Sequence, residues 1–161
     1  MSGNSARAPD RSDPTRGFTV VELVVVLSIA GVLGALSTPT LLSYWDSAAL
    51  HAAARELASV INLGRQLAIA RKTPICIEAS GATLRFRIGG CGGQAWTGAI
   101  TDASGAIRMS EAPIVQTSAN ARVVFTALGA ATPAATYTLT HSRTHASRSV
   151  VVAASGRVSV E

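Results

Sequence analysis

The sequence predicts an α+β protein, one long N-terminal helix followed by a small antiparallel β-domain. Three observations predict it. An apolar run from Phe18 to Leu42 counts 25 residues (42 − 18 + 1) and holds a single ionisable group, Glu22. Beyond it, Leu50, Leu57, Ile61 and Ala68 recur at spacings of seven, four and seven, the mark of one helix face. From Ile75 the pattern changes to short alternating segments broken by glycines.

The totals are consistent with this division. A chain of 161 residues holds one domain of ordinary size plus an appendage. Hydrophobic residues make up 48% and aromatics only 4%, so the apolar excess is aliphatic and concentrated partly in the first run. Net charge is +5, and residues 1–17 carry Arg7, Arg11 and Arg16 against Asp10 and Asp13. Removing that segment leaves +5 − 1 = +4, a modest excess that permits anionic partners without demanding them.

Residues 1–17 are rich in Ser, Pro, Arg and Asp, lack apolar periodicity, and read as a processing segment. The run that follows, 18–42, would cross a bilayer core at ~1.5 Å per residue. It is too long for the ~7–15-residue apolar region of a secretory signal peptide, so a retained membrane helix is the reading taken. Arginines before the helix place the N-terminus in the cytoplasm and the C-terminal part across the membrane. A carboxylate at the depth of Glu22 costs several kcal/mol unless paired, which marks it for function. Snorkelling to the headgroups is the alternative for Glu22.

Residues 43–73 continue the helix. Val60, Gly64 and Leu67 flank the stripe, while Arg55, Glu56, Ser59, Asn62 and Gln66 fall largely elsewhere. Arg71 and Lys72 supply cations at the last turn, and Pro74 pushes Thr73 out of helical geometry. The stripe covers too few heptads for a coiled coil, so it is expected to pack on the chain's own sheet. The β-domain occupies 74–161. Leu84 to Ile88 alternates strictly, and Val123–Phe125 and Tyr137–Thr140 are further strands. Ser149–Val152 and Arg157–Val160 flank Ala153-Ala154-Ser155-Gly156 as a hairpin with glycine at its turn.

At its start the chain resembles a known family. Gly17-Phe18-Thr19-Val20-Val21-Glu22-Leu23 is similar to the N-terminal signature of type IV prepilins and type II secretion pseudopilins. The resemblance implies a pilin-like fold and cleavage after Gly17 by a prepilin peptidase, with methylation of the new amine of Phe18. It also implies an assembly role for Glu22, the fifth residue after the cut, whose carboxylate would meet the amine of a neighbouring subunit. Two charges that are each costly in lipid would then neutralise one another. Pro39 falls where many members carry a helix-weakening proline. Cys76, Cys91, Trp96-Thr97-Gly98 and Asp102, with Arg148–Val152 and Ser155–Val158, resemble the GspH/FimT branch of minor pilins. The implied setting is the inner membrane, with a short cytoplasmic leader and a periplasmic β-domain. The implied partners are the peptidase, membrane lipid and other pilins or pseudopilins of one filament.

Cys76 and Cys91 are the only two cysteines. In an oxidising compartment they would form a disulfide, closing a loop worth ~3 kcal/mol at most, with Cα atoms within ~7 Å. Two thiols that never meet is the alternative, and zinc is disfavoured because no Cys-x-x-Cys occurs. No nucleophile elbow, zinc-protease helix or phosphate-binding glycine loop is present, so neither an enzyme nor a cofactor is expected. His141 and His145 would share a strand face, a pairing that most often is solvated or packed and not a metal site. Arg143, Arg148 and Arg157, with His145, are expected to converge across the hairpin. In FimT-like members a C-terminal Gly-Arg-x-Arg motif is associated with DNA capture. Here Gly156-Arg157-Val158-Ser159 lacks the second arginine, which weakens that reading because phosphate affinity grows with each neutralised charge. A secretion pseudopilus subunit is the main expectation, and a FimT/FimU-like pilus subunit with DNA contact the alternative.

Overall fold

The computed structural model describes residues 17–111 and 115–161, and of 36–42 only the backbone. The leader residues 1–16, Pro113 and the side chains of Pro39, Leu41 and Leu42 therefore lie outside the described residues. Among the described residues one helix, α1 (Val20–Arg71), precedes ten strands. These are β1 (Ile75–Ser80), β2 (Thr83–Ile88), β3 (Gln94–Ala95), β4 (Ala106–Arg108), β5 (Val115–Ala119), β6 (Val123–Phe125), β7 (Ala131–Thr132), β8 (Ala135–His141), β9 (Ser147–Val152) and β10 (Val158–Val160). The chain divides into two compact units, Met1–Thr40 and Leu41–Glu161.

In the first unit the helix is apolar on every side. Val20, Val21, Leu23 to Leu27, Ile29, Val32 and Leu33 are all exposed, so nothing in the unit itself covers them. A helix without a polar face does not suit water. Among the described residues no helix is long and apolar enough to cross a membrane, and residues 36–42 of the expected span fall outside that description.

In the second unit α1 presents a narrow stripe of small and aliphatic residues. Leu50, Ala53, Ala54, Leu57, Ile61 and Ala68 are buried in the core, as the seven-four-seven spacing predicts. Gly64 sits on that stripe, where a Cβ would lie 2.9 Å from Ile77 Cδ1 and 3.2 Å from Phe86 Cε1. Absence of a side chain there lets the helix backbone approach β1 and β2 closely.

The strands form two antiparallel sheets. One runs β3-β2-β1-β6-β7, with β4 also pairing β2; the other runs β10-β9-β8-β5. β3 and β4 lie in tandem along β2, opposite Arg87–Ile88 and Thr83–Arg85 respectively. A bridge between Gly81 and Thr117 links the sheets, the Thr117 amide donating to the Gly81 carbonyl at 2.8 Å. Ile75, Ile77, Leu84, Phe86 and Phe125 from the first sheet meet Val115, Tyr137, Leu139, Val150 and Val152 from the second in the core shared with α1. Burial of the Tyr137 ring pushes its phenol up to about 12. The Ala153–Arg157 turn is the expected hairpin: the Ala153 amide donates to the Arg157 carbonyl, and Gly156 takes φ +82°.

Both ends of α1 are capped by specific residues. At the N-terminus Thr19 Oγ1 accepts the Glu22 amide at 3.2 Å, the capping geometry of a Thr-x-x-Glu start. At the C-terminus the Thr73 amide donates to Ala68 O and the Lys72 amide to Ile69 O. That pair of bonds is a Schellman closure, and its left-handed residue is Lys72, at φ 51°, where glycine is usual. The helix thus ends at Arg71, and Lys72 is its cap and not part of its last turn. Replacing Lys72 by glycine is expected to stabilise the β-domain by about 1 kcal/mol, because the left-handed penalty of a side chain disappears. Urea unfolding of the two proteins measures it, and a destabilised Lys72→Gly chain would contradict the assignment.

Candidate functional site

The expected processing and assembly residues gather at the start of α1. Gly17, Phe18, Thr19 and Glu22 line one shallow depression, with Phe18 79% exposed. A peptidase cutting between Gly17 and Phe18 would meet an exposed segment outside the helix, which begins only at Val20. Thr19 caps the helix through the Glu22 amide, which leaves the Glu22 carboxylate exposed beside Phe18. The backbone role of this position and the chemical role of its side chain are therefore separable.

Cys76 and Cys91 are bonded, with Cα atoms 5.0 Å apart. Of the alternatives open from the sequence, the disulfide is the one present. It ties the start of β1 to the glycine-rich loop after β2. Arg87 steadies the same loop, its Nη1 donating to Gly93 O at 3.1 Å while its Nε pairs with Glu78 at 2.6 Å. Trp96 follows β3 and packs against Phe86 with ring centroids 5.8 Å apart. Asp102 organises the next turn: Oδ1 accepts from the Ser104 hydroxyl, the Ser104 amide and the Ala106 amide at 2.7, 2.8 and 2.9 Å. Those bonds, the Ser104 hydroxyl foremost, hold its carboxyl below the ordinary value.

The C-terminal basic residues do not converge. Arg143 lies in the turn between β8 and β9 and pairs with Asp46 on α1. Arg148 is the second residue of β9 and donates to His51 Nε2 at 2.7 Å, again on α1. Arg157 follows the other end of β9, opposite Ala153. Five residues of strand at ~3.3 Å each put it roughly 16 Å from Arg148 along the sheet. The expectation of one cluster fails because a hairpin brings together residues at equal distance from its turn. Arg148 and Arg157 are not such a pair; Ser149 pairs with Glu161.

The histidine expectation is also corrected. His141 ends β8, but His145 is in the following turn at φ 55° and does not share a strand face with it. His141 is buried, and its Nδ1 accepts the amides of Arg143 and Thr144, both at 3.3 Å. That leaves the ring proton on Nε2, 3.6 Å from Asp46 Oδ1. The imidazole is thus a turn cap facing a carboxylate. Among the described residues no group of three His, Cys, Asp or Glu side chains is placed to hold a metal ion.

Sequence reasoning missed Asp46 and His51, the helix partners of this turn, because each stands 97 positions from its arginine. It also missed Arg65, whose Nε donates to Gly129 O at 2.9 Å beneath the turn that holds Gly156.

Comparison with known proteins places this arrangement. The family model described as type II transport protein GspH matches residues 53–156, which is 104 (156 − 53 + 1) of the 161 residues. The chain belongs to the GspH family. A second model, the prokaryotic N-terminal methylation motif, matches residues 14–38 and so spans Gly17, Phe18 and Glu22. No curated protein matches this GspH-family chain. Solved structures do. The solution structure of Escherichia coli GspH aligns with a TM-score of 0.54 at 16% identity, over 71% of this chain and 88% of that one. The Vibrio cholerae minor pseudopilin EpsH gives 0.53 at 11% identity, over 70% and 95%. The Pseudomonas aeruginosa type IV minor pilin FimU gives 0.52 at 20% identity, over 70% and 87%. At these identities the likeness is one of fold, and the GspH-family chain has the α+β pilin-like fold expected from its sequence.

Proposed function

We propose that the chain is a minor pseudopilin of a type II secretion system, a structural subunit of the pseudopilus and not an enzyme. It is made as a precursor, cut between Gly17 and Phe18 by a prepilin peptidase, and methylated on Phe18. Residues 18–42 hold it in the inner membrane, with the β-domain in the periplasm, until Glu22 pairs with the amine of a neighbouring subunit in the filament. One observation carries this reading. The methylation motif, residues 14–38, ends in a helix whose first turns bear only aliphatic side chains and a single carboxylate. The GspH match over residues 53–156 supports the coarser role, a minor pseudopilin or minor pilin.

Intact-mass spectrometry of the membrane-extracted protein is expected to give a chain starting at Phe18 with one added methyl group. A chain still beginning at Met1, or beginning well past Phe18, rejects the reading. The second reading, a FimT/FimU-like pilus subunit contacting DNA, draws on the exposed Arg157 at its turn. Copurification with secretion components or with pilus subunits decides between the two.

A further inference from the structure

The chain has seven aromatic residues (three Phe, two Trp, two Tyr), and their distribution is uneven. Phe86, Phe125 and Tyr137 are fully buried, and Trp96 is half-buried against Phe86. The other three, Phe18, Tyr44 and Trp45, are 79%, 69% and 63% exposed. These three bracket the apolar run 18–42 in sequence. From Phe18 to Trp45 is 27 steps (45 − 18), about 40 Å at a helical rise, the thickness of a bilayer with its headgroup layers.

Tyr and Trp concentrate at membrane–water boundaries because each ring has an apolar body and a polar tip. In the second unit the surroundings of Tyr44 and Trp45 suit that boundary. Asp46, the next residue, is held by Arg143 and faces His141, so its charge is answered internally. Through that ion pair the β8–β9 turn is fastened beside the aromatic pair. The turn displays Arg143, 63% exposed at its side chain, and exposed His145. Arg148 lies one turn further along α1, on His51. Exposed aromatic rings with a guanidinium fastened on the neighbouring residue match a layer of phosphate and glycerol.

We propose that Tyr44 and Trp45, with Arg143 beside them, dock the foot of the β-domain into the phospholipid headgroup layer. The proposal rests on the membrane-anchored reading given above. Seated so, the aromatic pair fixes the depth of the helix and the height of the β-domain over the bilayer before the subunit is drawn into a filament.

The test uses the full chain and its Trp45→Phe variant in vesicles of phosphatidylcholine and phosphatidylglycerol. The difference between their emission spectra isolates Trp45 from Trp96. Lipids brominated near the headgroup are expected to remove roughly half of the Trp45 emission, as for a ring at the interface, while aqueous acrylamide removes little. If the chain floats with the vesicles but Trp45 is open to acrylamide and untouched by bromine, the docking proposal falls and the membrane anchor stands. If Trp45 is shielded from both quenchers until the protein is diluted in lipid, a second subunit covers it, and the proposal falls. A chain that does not float with vesicles overturns both readings.

Discussion

Replacing Cys76 and Cys91 together by alanine is expected to lower the stability of the β-domain by about 3 kcal/mol, since the bridge closes a loop of 15 positions. The bond joins two segments that little else connects. Cys76 is fully buried on β1, the strand between β2 and β6, while Cys91 stands in the run Gly89-Gly90-Cys91-Gly92-Gly93. Gly89 and Gly90 both take positive φ, so without the bridge the reduced chain regains a wide range of loop conformations. Among the described residues the run is otherwise held by the Gly89 amide on Pro74 O, the Gly93 amide on Gly90 O and Arg87 on Gly93 O. Urea unfolding of the protein with and without a thiol reductant measures the loss. The reduced wild type should fall to the level of the double variant. Equal midpoints for oxidised and reduced protein would mean that the loop is held by Arg87 and not by the bridge.

How far the sequence could be read follows from where each signal resides. The α1 stripe was legible because Leu50, Leu57 and Ile61 repeat locally, and the helix's own geometry converts that spacing into one face. β2 was legible for the same reason, at period two, and the β9–β10 turn because Gly156 marks it. β5 was not. Val115-Gln116-Thr117-Ser118-Ala119 holds one large apolar residue, and it is a strand because β8 offers it an edge. β3 and β4 are two and three residues long and exist only as partners of β2. Lys72 illustrates a different failure. Nothing in its side chain announces a left-handed cap, and its role is set by Pro74, which stops the helix just beyond. At the site itself, Gly17, Phe18 and Glu22 stand within six residues, so their grouping needed no fold. The pairing of Asp46 with Arg143 and of His51 with Arg148 required the whole β-domain to close on α1.

Glu22→Val is expected to block entry into the filament while leaving membrane insertion and the β-domain unchanged. The carboxylate belongs to the first unit, while the core formed by α1, β1 and β8 belongs to the second. Its helical position is secured through the backbone, by Thr19 Oγ1 on the Glu22 amide, and valine keeps that amide. Removing a charge from an apolar helix costs insertion nothing and should ease it. On the proposed reading, what the variant loses is the counter-charge for a neighbour's amine. Breaking a buried ion pair from one side costs about 3 kcal/mol or more, roughly a hundredfold in association. Crosslinking of the variant to its filament partners should drop accordingly, with the thermal unfolding of the β-domain unmoved. Thr19→Ala supplies the control, because it removes the cap, worth about 1 kcal/mol, and keeps the carboxylate. If Glu22 acts by charge, Thr19→Ala subunits still crosslink. If the two variants lose crosslinking alike, the residue acts by starting the helix, and the assembly role assigned to its carboxylate is wrong.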